Sequence, residues 1–147
     1  PKITKLNIKK GGYLLLYSLA VSLAGRMRAI MEIESEIVEA EQNHLCKEIV
    51  RALEQKRADL INSCTREELL VIETVMKVGQ SERGYRYYFD RDDVETIHLP
   101  IELTGPELMH KYSYYLVHKT KEELAKGIEG NTIVSQQLKE GMEILKL

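Results

Sequence analysis

Two E-x-x-H motifs, Glu41-Gln42-Asn43-His44 and Glu107-Leu108-Met109-His110, carry residue types able to do metal chemistry. On helices, such a motif sets a carboxylate and an imidazole one turn apart. Two of them, with a Glu from each of two further helices, build the di-iron or di-manganese centre of ferritin-like bundles. That chemistry requires all the ligands to point into the bundle core. At about 100° per residue, the apolar stripe of residues 37–60 centres near Val38 and Leu45, with Glu41 at its edge and His44 well outside it. On the later helix the apolar centre lies between Leu108 and Tyr112, and Glu107 and His110 fall opposite. Both motifs therefore read as solvated.

A second acidic pattern is the row Glu34, Glu41 and Glu48, seven residues apart and in helical register with Ala20 and Met27. Carboxylates along a helix seam hold Mg²⁺ when a facing helix adds more. With Glu68, the row is the sequence's candidate for a Mg-dependent all-helical nucleotide hydrolase, the one reading that calls for a cofactor. Glu67, Glu68 and Glu73 are the carboxylates available on the partner helix, but no E-x-x-D stands there. Glu32, Glu34, Glu36, Glu39 and Glu41 also form a block without Lys or Arg between 32 and 41. Their mutual repulsion favours solvation where the helix leaves the core, or pairing with the basic arm Lys2–Lys10.

Arginine interleaved with aromatics over Arg83–Arg91 is the third pattern. Arg83, Arg86, Tyr88 and Arg91 could grip single-stranded nucleic acid, rings stacking on bases and guanidinium groups holding phosphate. Glu82, Asp90, Asp92 and Asp93 oppose that use. A polar line of Glu107, His110, Tyr114 and His118 is the last candidate. Its two imidazoles stand about 12 Å apart on a helix, too far to share one ion. The chain contains no P-loop, G-x-G-x-x-G, G-x-S-x-G or H-E-x-x-H. Cys46 and Cys64 fit neither a disulfide scaffold nor a metal pattern and read as buried thiols of a reducing compartment.

The elements that would position these groups follow from periodicity. Residues 1–12 form a basic arm or short strand ending in Gly11-Gly12. Residues 13–62 read as one long helix or a helix pair, with Tyr13, Leu16, Leu19, Ala20, Leu23, Met27, Ile30 and Met31 on one face. One helix of about 45 residues would span roughly 68 Å, so it either breaks near Glu32–Ser35 or projects and pairs as a coiled coil. Thr65-Arg66-Glu67-Glu68 is a capping box opening a helix over 65–78, which is more apolar than amphipathic and belongs near the centre. Alternation over 85–103 around Asp90–Asp93 predicts an antiparallel β-hairpin with Tyr85, Tyr87 and Phe89 inward. Residues 106–147 are helical, with helices expected at Gly105–His118, from the Thr120 capping box to Gly127, and over 132–147, the last weakened by Gly141. The fold class is α+β, predominantly helical, in a single domain over 1–147.

Composition bounds the function. With 147 residues, 44% hydrophobic content and a net charge of −2, the chain can bury a core unaided and has no global attraction for nucleic acid or anionic membranes. The apolar run from Tyr13 to Ala24 is shorter than the roughly 20 residues of a spanning helix, and no small-residue cleavage site follows it. The expectation is a cytoplasmic, non-enzymatic interaction or regulatory protein without cofactor. It would self-associate as a dimer through Leu16, Leu23, Met27 and Ile30. The eight tyrosines divide into an inner set (Tyr13, Tyr85, Tyr87, Tyr112, Tyr115) and an exposed one (Tyr17, Tyr88, Tyr114).

Overall fold

In the computed structural model, residues 14–82, 85–90, 93–98, 100–130 and 133–147 are described, with backbone alone for 85–90 and 95–98. The uncharged run at the start of the helical region forms α1, Leu14–Ser22, which meets α2, Ala24–Gln42, at a bend of 51°. The bend falls at Leu23, whose N–H is shared between the carbonyls of Leu19 (3.0 Å) and Ala20 (3.2 Å). The expected break at Glu32–Ser35 does not occur, and α2 runs straight through that segment. It ends instead at Asn43–Cys46. There His44 adopts φ 52°, the Leu45 N–H bonds to Ala40 O at 3.0 Å and the His44 N–H to Glu41 O at 3.1 Å. This pair of bonds is a Schellman closure, in which the left-handed residue is usually Gly. His is among the few other residues that visit that region.

After the turn, α3 (Lys47–Asn62) folds back on α2, tied by Arg57 Nη1 to Glu34 Oε1 at 2.8 Å. The long helical region is thus an internal hairpin of helices rather than one projecting rod. Its phase also differs from the expected stripe. Ile33, Ile37 and Ala40 are buried, whereas Val38 and Leu45 are exposed.

The central helix α4 spans Arg66–Ser81. Its capping box is complete, with the Glu68 N–H on Thr65 Oγ1 at 3.2 Å and the Thr65 N–H on Glu68 Oε1 at 2.9 Å. Ten of its sixteen residues are buried, as suits a helix more apolar than amphipathic. Gly79 does not stop it. A Cβ there would lie 2.1 Å from Gln137 O, and one on Gly141 would lie 2.1 Å from Val75 O. The two glycines let α4 and α7 (Val134–Leu145) cross backbone to backbone, so Gly141 is a packing requirement of the last helix.

The molecule is predominantly helical. A short antiparallel ladder joins β1 (Tyr85–Asp90) to β2 (Asp93–His98), Tyr85 opposite His98. The alternation expected to extend to Leu103 is not carried by strand: residues 100–104 are irregular, and the faces taken by Tyr85, Tyr87 and Phe89 lie outside the described residues. Helix α5, Gly105–Ser113, is capped by Thr104, whose hydroxyl takes the Glu107 N–H at 3.4 Å. It ends five residues before His118. Helical phase is lost there, so Leu116 is buried while Tyr115, expected inside, is 66% exposed. Helix α6, Lys121–Glu129, starts on the Thr120 capping box and continues past Gly127.

The core gathers Met27 and Ile30 of α2, Leu69 and Ile72 of α4, Leu124 of α6 and Leu138 of α7. Tyr17, expected exposed, is half-buried and donates its hydroxyl to Leu145 O at 2.7 Å, fastening α1 to the end of α7.

Candidate functional site

Of the four residues expected at an interface, Leu23, Met27 and Ile30 lie in the chain's own core, and Leu16 packs against that core partly buried. The stripe is the inner face of α1 and α2, because α3 and α7 pack on α2 and the rest of the chain closes the shared core. Helix α1's opposite face is different. Leu14, Leu15 and Val21 are exposed there (Leu15 by 69%), beside exposed Ser18, Ser22 and Gly25. A Cβ on Gly25 would meet nothing within 4 Å. No charged residue occurs from Tyr13 to Gly25.

The glutamate row does not converge. Glu34 is held by Arg57, and Glu68 closes the α4 cap while accepting from Arg26 Nη1 at 2.9 Å. The Thr65 N–H and the Arg26 guanidinium hold the Glu68 carboxyl below its ordinary pKa. Glu41 and Glu48 are exposed at the hairpin end. Among the described residues no three His, Cys, Asp or Glu side chains are grouped to hold a metal ion. Arg83 and Arg91 lie outside the described residues, and Arg86 and Tyr88 are placed by backbone only, on β1. The line Glu107, His110, Tyr114, His118 is broken by the end of α5 at Ser113. Cys64 is buried, whereas Cys46 is exposed at the start of α3.

A carboxylate that the periodicity did not single out occupies the interior. Glu73, in the middle of α4, is 5% exposed. Its Oε1 lies 3.9 Å from Lys119 Nζ, and its Oε2 has no hydrogen-bond partner. Arg66 sets Lys119 in place: its Nε–H bonds to Lys119 O at 2.9 Å and its Nη2 to Val117 O, pinning the turn before α6. Gly127 of α6 makes room for the carboxylate, since a Cβ there would lie 2.5 Å from Oε1. Burial pushes the Glu73 carboxyl up from its ordinary pKa, and the Lys119 and Lys77 ammonium groups pull it back down. The signal was present in the sequence: a lone acid, with Lys77 one turn on, inside the apolar run Leu69–Val78. Only the packing of α6 and α7 shows that it faces inward.

A smaller polar cluster joins α4 to α5. Tyr112 donates to Glu82 Oε1 at 2.5 Å, and Lys111 Nζ lies 3.4 Å from the same oxygen. Burial and the bond to Glu82 raise the Tyr112 phenol. Comparison with protein-family models, characterised proteins and solved structures found no match. Among the described residues no single helix is long and apolar enough to cross a membrane.

Proposed function

We propose that the protein is a non-enzymatic interaction protein that pairs with a second copy of itself through the outward face of α1. The observation that carries this reading is the exposure of Leu14, Leu15 and Val21 on a stretch without charge. Covering apolar surface is favourable by about 25 cal/mol per Å². In a two-fold pair each patch meets its own copy, so no complementary surface elsewhere is needed. Ser18, Ser22 and Gly25 are small enough to let a second helix approach closely. The inner seam Leu16–Leu23–Met27–Ile30 supports this contact indirectly, by fixing α1 to the core and holding the outer face ready.

Sedimentation velocity from micromolar to tens of micromolar tests the proposal. The wild-type chain is expected to associate, and the double variant Leu15→Glu, Val21→Glu to remain monomeric with unchanged helical circular dichroism. Leu23→Glu, by contrast, is expected to unfold the chain. A wild-type protein that stays monomeric, or a double variant that associates as the wild type does, overturns the reading.

A further inference from the structure

Buried polar groups are almost always hydrogen-bonded, and leaving one unpaired carries a desolvation cost. Glu73 Oε2 is such a group. It borders a cavity of about 220 Å³ lined by Glu73, Met76, Lys77, Gln80, Gly127 and Gln137. The cavity is smaller than a typical drug-sized ligand pocket, which suits a metabolite of few atoms. Four features define what it can accept. The carboxylate oxygen wants a donor. Lys77 on its rim and Lys119 at 3.9 Å from Oε1 surround that carboxylate with positive charge. Met76 supplies an apolar wall. Gly127 leaves the space that the carboxylate occupies, since a Cβ there would lie 2.5 Å from Oε1 and displace it.

A simple cation would pair with Oε2 but meet Lys77 in the lining, on a carboxylate that already has Lys119 near its other oxygen. A simple anion would pair with the lysines but meet Glu73. An apolar guest would leave Oε2 unpaired. A molecule carrying both charges a few atoms apart satisfies Glu73 Oε2 and Lys77 together. We infer that the cavity binds a small zwitterion, a free amino acid, its ammonium donating to Glu73 Oε2 and its carboxylate facing Lys77. This site shares no residue with the outward face of α1, so it stands or falls independently of self-association.

Isothermal titration of the wild-type chain with each standard free amino acid tests the assignment. Each is set against the matching amine without the carboxylate and the matching acid without the ammonium. At least one amino acid is expected to bind, with both truncated counterparts weaker by about tenfold or more, the scale of a lost charge-assisted hydrogen bond. Glu73→Gln is expected to weaken binding by a similar factor, and Glu143→Gln, exposed on α7, to leave it unchanged. Should the Glu73 variant not fold, the comparison of truncated ligands on the wild type decides alone. No binding of any amino acid at millimolar concentration, equal binding of amine or acid, or a folded Glu73→Gln that binds as before overturns the inference.

Discussion

Helices α3 and α4 are consecutive and of equal length, sixteen residues each, yet they meet opposite surroundings. In α4 ten residues are buried; in α3 only Ile61 is. The apolar positions of α3 are interrupted by Arg51, Glu54, Lys56 and Arg57, so α2, with a smaller contact from α6, covers what it must bury. Leu69–Val78 is apolar apart from Glu73, Thr74 and Lys77, so most of α4 must be covered, and α5, α6 and α7 cover it. Regions with few buried apolar contacts open locally at low cost, whereas the enclosed ones open only with the whole fold. Among the described helices, α3 therefore opens locally at lower cost than α4, which is held by the whole fold. Glu73 lies on α4, beside Gly127 of α6 and the cavity that Gln137 of α7 also lines.

Truncation should separate the two helices most sharply. Ile72→Ala is expected to cost about 2–5 kcal/mol, the range for deleting a fully buried aliphatic group. Ile49→Ala, on the exposed side of α3, should stay within about 0.5 kcal/mol. Urea unfolding reads both, and comparable losses would erase the contrast. Next in size is the α4–α7 crossing. Gly141→Ala drives a methyl toward Val75 O and should cost about 1–3 kcal/mol, despite the better helix propensity of Ala. A stabilised Gly141→Ala would mean that the helices do not approach backbone to backbone.

The hairpin end should respond in the other direction. His44→Gly relieves a left-handed residue and is expected to stabilise by up to about 1 kcal/mol. A loss there would show that the imidazole makes a contact that the turn depends on.

The smallest expected effect is a pH dependence of opposite sign at two glutamates of α4. The Glu68 carboxyl is held below its ordinary pKa, so its contribution is present above the unfolded value, near 4.5, and is lost as pH falls through the lower folded value. The Glu73 carboxyl is raised by burial. Its contribution is intact below the unfolded value and is lost as pH rises through the higher folded one. Glu73→Gln should therefore gain stability relative to wild type on going from pH 4 to pH 7 without ligand, whereas Glu68→Gln should lose it. Parallel pH profiles for the two variants would show that Glu73 is not desolvated.

Local signals in the chain were strong where a few neighbouring residues decide the outcome. Thr65 with Glu68 and Thr120 with Glu123 close their capping boxes because each needs only one turn of helix. The enclosure of α4 is legible in its excess of apolar residues over Leu69–Val78. The helix break is not, because a turn through His44 depends on the fit of α3 against α2 as well as on local preference. Tyr115 was misplaced for a related reason: the phase of α5 is meaningful only while the helix lasts, and it stops at Ser113. The Leu16–Leu23–Met27–Ile30 stripe has apolar surface enough for a partner, but the rest of the chain covers it.

By itself the sequence determined that helices dominate, where several of them begin, and that the segment around Leu69–Val78 must be surrounded. These are properties of propensity, capping and pattern, which act over one or two turns. Tertiary structure alone decided that the Leu23–Met27–Ile30 face turns inward and the Leu14–Leu15–Val21 face outward, that Gly79 and Gly141 meet, and that Glu73 is shut in beside Gly127 with one oxygen unpaired. Each of those facts depends on atoms tens of residues away in the chain. Helical periodicity can sort residues into faces, but only the packing partner determines which face is covered.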